Sequence, residues 1–155
     1  MLKEKVDLLL NDAFQERPDL FLVSCDIGPG NEIKVVIDGD ESVKVADCIF
    51  VSRAVEHNLD REEIDFSLEV TSAGVGKPLV HQRQYLKNVG RDLELTDLTK
   101  EKQIGKLVAA TDETVTIEWQ AREPKALGKG KETVNKQWSL EYKKIKQAKV
   151  VITFN

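Results

Sequence analysis

The spacing of the apolar residues changes part-way along the chain, and this change constrains the fold more than any other feature. Up to Val70, segments with helical spacing alternate with β-branched runs; beyond Gly90 almost every apolar segment alternates in twos. Residues 3–16 place Val6, Leu9, Leu10 and Ala13 at helical intervals. Arg17-Pro18 ends that helix, because the residue before a proline avoids the helical region. Residues 20–27 alternate through Phe21, Val23, Cys25 and Ile27, and 33–37 are β-branched. Between them Gly28-Pro29-Gly30-Asn31 signals a turn, so the pair reads as a hairpin. Residues 45–58 return to helical period, with Val45, Cys48, Ile49, Ser52, Val55 and Leu59 on one stripe. Residues 66–70 alternate like a strand with one buried face. This order, α-β-β-α-β, describes an α+β domain of KH-like arrangement, two helices on one face of a small sheet.

The second half reads differently. Residues 82–89 suit a short helix, and strands are expected at 92–95, 103–109, 115–119, 133–140 and 150–154. A longer loop is expected at 122–132, with Pro124, Gly128 and Gly130, and one helical turn within 141–146. Short strands separated by turns suggest a small β-barrel. The segment 71–79 joins the two patterns, so the expected domains are 1–82 and 83–155.

Charge divides in the same place. Residues 1–82 carry 8 Lys and Arg against 17 Asp and Glu, a net of −9, whereas 83–155 carry 15 against 10, a net of +5. Screening limits the reach of the acidic half to about 8 Å, so a basic face beyond it can still bind phosphate despite the overall charge of −4. No stretch approaches the roughly 20 apolar residues that cross a bilayer. The opening Met1-Leu2-Lys3-Glu4-Lys5 lacks the apolar core of a signal peptide, which leads to the expectation of a cytoplasmic protein with no membrane partner. Cys25 and Cys48, both in apolar-patterned segments, read as buried reduced thiols.

Tests for chemistry fail one after another. Gly74-Val75-Gly76-Lys77-Pro78 resembles the end of a phosphate-binding loop, but Thr71 stands where the first glycine belongs and Pro78 where Ser or Thr belongs. Asp38-x-Asp40 resembles the start of a calcium loop, yet the sixth and twelfth positions are Val43 and Ile49. The acidic pairs Asp40-Glu41 and Glu62-Glu63 fall on surface connections. His57 and His81 have no evident nucleophilic partner, and with the cysteines they match no metal-site spacing. No catalytic residue, metal ligand, cofactor or small-molecule substrate is expected.

A binding surface remains. Between Arg122 and Lys149 nine basic residues stand against three acidic ones. Lys125, Lys129, Lys131, Lys136, Lys143, Lys144 and Lys146 are the candidates for phosphate contact, which gains from counterion release. Trp119 and Trp138 flank the loop; at alternating strand positions they read as core, with base stacking as the alternative.

The junction carries the most specific signal. Leu68-Glu69-Val70-Thr71-Ser72-Ala73-Gly74-Val75-Gly76-Lys77-Pro78-Leu79 resembles the L-E-V-S-S-P-G-x-x-R-P-L signature of the bacterial ribosome maturation factor RimP family. Val35-Val36-Ile37-Asp38, Asp47-Cys48-Ile49-Phe50-Val51-Ser52-Arg53 and Leu59-Asp60 are similar to further stretches of that family in order and spacing. Ala73, Gly76 and Lys77 depart from its proline, aspartate and arginine. Lys77 keeps the charge but loses the bidentate geometry of arginine. The resemblance implies a non-enzymatic monomer that binds the immature small ribosomal subunit, touching rRNA and a small-subunit ribosomal protein. It implies an N-terminal α+β domain and a C-terminal SH3-like (Sm-like) barrel, with Ser72, Gly74, Lys77, Pro78 and Leu79 in the signature loop. A free-standing Sm-like RNA-binding regulator is the alternative.

Overall fold

The computed structural model describes residues 2–74 and 76–152. It is a mixed α+β structure with two sheets, and it divides into two compact units, Met1–Gly74 and Val75–Asn155. The division falls earlier than the 82/83 boundary drawn from patterning. Leu79 belongs with the second unit, where its amide donates to the carbonyl of Ala148 at 2.8 Å. Division at Gly74 sharpens the charge contrast to 7 basic against 17 acidic residues, and 16 against 10.

The first unit has the order expected: α1 (Leu2–Glu16), β1 (Leu20–Gly28), β2 (Glu32–Gly39), α2 (Val45–Glu56) and β3 (Ser67–Ser72). β1 and β2 are antiparallel and β2 and β3 parallel, in the order β1-β2-β3. Val6 and Leu10 of α1, Val51 and Val55 of α2, and Ile33, Val35 and Ile37 of β2 form one core. A bulge between Leu22 and Ser24 interrupts the alternation of β1, so Leu20 and Leu22 face this core before it, and Cys25 and Ile27 after it. Val23, expected on the apolar face, falls at the bulge.

The stripe expected on α2 is also rotated. Val51 and Val55 are fully buried, while Val45 and Ile49 are 77% and 44% exposed. Both stripes are apolar, and packing against the sheet selects the one through Cys48, Val51 and Val55.

The second unit holds α3 (Gln82–Lys87), β4 (Asp92–Asp97), β5 (Lys102–Ala110), β6 (Thr114–Pro124), β7 (Lys131–Glu141), a single 3-10 turn (Tyr142–Lys144) and β8 (Ile145–Val150). All neighbours are antiparallel, in the order β7-β6-β5-β4-β8. Leu93, Leu95, Leu107, Val115, Ile117, Leu140, Ala148 and Val150 draw all five strands into one core, which Tyr85 of α3 joins. The expected terminal strand at 150–154 lies earlier in the chain, with Ala148 and Val150 as its buried positions. Residues 153 and 154 of that expectation lie outside the described residues.

Two capping arrangements fix the helices against their sheets. The Asp47 carboxylate accepts the Lys44 amide at 2.8 Å and the Arg17 guanidinium at 2.9 Å, tying the start of α2 to the end of α1. At α3 the buried Gln84 side chain accepts the amides of Val80 and His81 at 2.8 and 2.9 Å. The Arg83 amide donates to His81 Nδ1 at 3.1 Å, closing a capping box.

Candidate nucleic-acid interface

The segment expected to be a loop at 122–132 is largely strand. β6 and β7 stay in register through Pro124↔Lys131, and only residues 125–130 form the connection. Its ends are tied by the Lys125 amide donating to the Gly130 carbonyl at 3.1 Å. Patterning missed this because no core marks the outer part of the hairpin, and Pro124 stands at the end of its strand, where proline is tolerated.

β5 accompanies β6 only as far as the Lys106↔Glu118 pair. Beyond it, residues 119–124 and 131–136 have only each other as neighbours. They form a two-stranded ribbon whose arms extend roughly 20 Å at the usual rise per residue. Arg122, Lys125, Lys129 and Lys131 are all exposed on this ribbon or its tip. None of them has an ion-pair partner among the described residues. Lys136 differs: it is half-buried and paired with Glu123 on the same ribbon.

The remaining candidates lie elsewhere. Lys143 and Lys144 occupy the 3-10 turn and Lys146 lies on β8, all exposed. They follow the far end of β7, and that strand alone is roughly 30 Å long. One run of lysines in the sequence is therefore two groups in space. Lys143 also pairs with Glu141 at 3.2 Å.

Trp119 and Trp138 are half-buried and pack on the second core, Trp138 opposite Ile117 and Trp119 opposite Lys136. Tyrosines anchor the 3-10 turn that follows β7. Tyr142 donates its hydroxyl to the Thr111 carbonyl at 2.8 Å and meets the Tyr85 ring edge-on at 5.2 Å. Burial, with Tyr142 close by, pushes the Tyr85 hydroxyl up to about 12.

In the signature segment, Ser72 closes β3 opposite Ile37, and the Ala73 amide extends the ladder to the Ile37 carbonyl at 2.9 Å. Gly76 has φ +87°, a conformation that costs other residues about 1–2 kcal/mol, with Asn and Asp the most tolerant. Lys77 and Pro78 are exposed, and Leu79 packs on the second core.

The first unit contains features that sequence patterning did not single out. Arg17 bridges Asp19 at 3.0 Å and Asp47 at 2.9 Å, and lies 5.8 Å from the centre of the Phe50 ring. The bond from the Lys44 amide, and then the Arg17 guanidinium, hold the Asp47 carboxyl below the usual carboxylate range. An open groove of about 770 Å³ lies between α1 and α2, floored by Leu9, Ala13, Ile49 and Phe50. Asp12 and Glu16 rim it on α1, Arg53 and His57 on α2. Among the described residues no group of His, Cys, Asp and Glu is arranged to hold a metal ion. No described helix is long and apolar enough to cross a membrane.

Similarity to known proteins runs the length of the chain. Residues 17–76 match the RimP N-terminal domain family. A ribosome maturation factor RimP from Christiangramia forsetii is 55% identical over 154 residues, covering 99% of this chain and 100% of the relative. One from Flavobacterium psychrophilum is 47% identical, covering 98% of each. One from Porphyromonas gingivalis is 30% identical, covering 75% of this chain and 76% of the relative. The match therefore takes in the signature segment, both compact units and the ribbon, and the chain belongs to the ribosome maturation factor RimP family.

Proposed function

We propose that this protein is a ribosome maturation factor that binds the immature small ribosomal subunit in the cytoplasm and promotes its assembly without catalysing a covalent step. The observation that carries the proposal is the full-length similarity to relatives named ribosome maturation factor RimP. The mechanism is a shift of population: a protein that binds one folding state of the subunit more tightly than another favours that state by the difference in affinity.

Under this reading the two units have different partners. The acidic first unit, of KH-like arrangement, faces a basic small-subunit ribosomal protein, and the basic second unit faces rRNA. Lys125, Lys129 and Lys131 make the main phosphate contacts; Lys143, Lys144 and Lys146 form a second contact, and Lys136 chiefly steadies the ribbon. Both edge strands of the second sheet, β7 and β8, feed the same core through Leu140, Ala148 and Val150. A sheet that does so must curl, which supports an SH3-like small barrel. The protein works as a monomer whose two domains are joined around residues 71–79.

Deleting the gene and profiling ribosomes tests this function. Excess free large subunits and incompletely processed small-subunit rRNA are expected. A normal subunit ratio with mature rRNA would overturn it, and tight binding to isolated single-stranded RNA without association with immature subunits would favour the regulator reading.

A further inference from the structure

The two faces of the β6–β7 ribbon differ, and the difference points to a specific ligand surface. One face carries Trp119, Ala121 and Glu123 of β6 against Lys136, Val134 and Glu132 of β7. It is mixed, with apolar groups, both of the ribbon's acids and the Lys136–Glu123 pair. The other face carries Gln120, Arg122 and Pro124 against Asn135, Thr133 and Lys131. It holds no acid. Its side chains are joined across the strands: Gln120 Nε2 donates to Asn135 Oδ1 at 3.2 Å, and Arg122 Nη1 donates to Thr133 Oγ1 at 3.0 Å. Arg122 Nη2 also reaches the Lys131 carbonyl at 3.3 Å. The row continues toward the sheet as Glu118–Gln137 at 3.2 Å and Thr116–Ser139 at 2.8 Å.

These bonds hold the side chains in an ordered row without exhausting them. An amide side chain has two donors and a carbonyl, and a guanidinium has five donors, so Gln120, Asn135 and Arg122 each keep groups for an external partner. At the end of the row stand Lys125, Lys129 and Lys131, exposed and without ion-pair partners among the described residues.

We propose that the Gln120–Arg122–Thr133–Asn135 face of this ribbon lies in the minor groove of an A-form RNA helix, with the tip lysines on the bordering phosphates. The proposal rests on the reading of the second unit as an rRNA-binding module and specifies what that unit grips. A-form RNA has a deep, narrow major groove that side chains cannot read, and a wide, shallow minor groove lined with 2′-hydroxyls. A wide, shallow groove admits a two-stranded ribbon bearing polar side chains, and the 2′-hydroxyl both donates and accepts. The cations fit the phosphate rows. The acid-bearing face would meet repulsion in the same place, so the ribbon has one orientation.

Binding of the full chain to a 20-base-pair RNA duplex, a DNA duplex of the same sequence and the single RNA strand tests the proposal. The RNA duplex should bind most tightly; equal affinity for the DNA duplex overturns the 2′-hydroxyl assignment, and tighter binding to the single strand overturns the groove. Thr133→Leu should weaken binding to the RNA duplex about tenfold, the scale of one missing hydrogen bond. Val134→Leu, on the opposite face, should stay within about twofold. Arg122→Gln should cost more affinity than Lys102→Gln, which removes the same charge from β5. Equal effects within either pair reduce the ribbon to diffuse electrostatics and overturn the proposal. Co-sedimentation with immature small subunits separates the two levels. Wild-type protein that fails to associate sinks the broader function, whereas association that Thr133→Leu leaves unchanged sinks the ribbon alone.

Discussion

Gly105 of β5 packs against β6, and a Cβ placed there would sit 2.8 Å from the Glu118 backbone oxygen. Backbone on both sides cannot yield as the end of a flexible side chain can. Gly105→Ala should lower stability by about 1–3 kcal/mol in urea denaturation, the range for overpacking a tight site. Asp47 is a residue of another kind, whose contribution depends on its charge. Its carboxyl is held below the usual range by the Lys44 amide and then Arg17, so the carboxylate stabilises the fold above the unfolded value of about 3.9. That contribution is lost as pH falls through the lower, folded-state value. Asp47→Asn should therefore unfold at a lower temperature than wild type at pH 7, and the two melting curves should converge as the pH is taken below that value. A gap that persists in strong acid would show that Asp47 acts through packing. Neither role was legible from residue type alone: Gly105 sits inside a strand pattern without any turn signal, and the partner of Asp47, Arg17, is thirty positions away.

At the scale of elements, the β6–β7 ribbon is an attachment to the second core rather than part of its support. Val115, Ile117 and Leu140 all lie on the sheet side of the Trp119↔Lys136 pair. Replacing residues 120–135 with Asn-Gly, a sequence suited to a two-residue hairpin, should leave stability within about 1 kcal/mol of wild type, because shortening a loop changes closure entropy only slowly. Circular dichroism and thermal melting measure this, and a collapse of the folded state would mean that the ribbon supports the second core. The kinds and order of the elements were legible because helical and strand periods are local properties. Their ends were less so. Residues 122–132 of the ribbon were read as loop since no buried core marks them, and the last strand was placed late since 145–150 mixes Lys146 and Lys149 with Ile145, Ala148 and Val150.

For the whole molecule, the proposed rRNA contact of the basic second unit should weaken as salt rises, because each neutralised phosphate releases counterions. Lys125, Lys129 and Lys131 changed together to Glu should weaken association with the small subunit and flatten its dependence on salt, by about one unit of slope for each phosphate no longer neutralised. Titrating affinity against potassium chloride checks this, and an unchanged slope would show that the tip is merely solvated. The charge split, the two modules, the α-β-β-α-β order and the family signature were all determined by the sequence alone, because each is carried by neighbouring residues. Tertiary structure alone decided which stripe of α2 is buried, how far β6 and β7 run beyond the sheet, and how the lysines of 125–146 divide into two groups. Those outcomes depend on which distant surface each segment meets: Ile49 and Val51 are equally apolar, and only the sheet beneath the helix buries one and leaves the other at the groove.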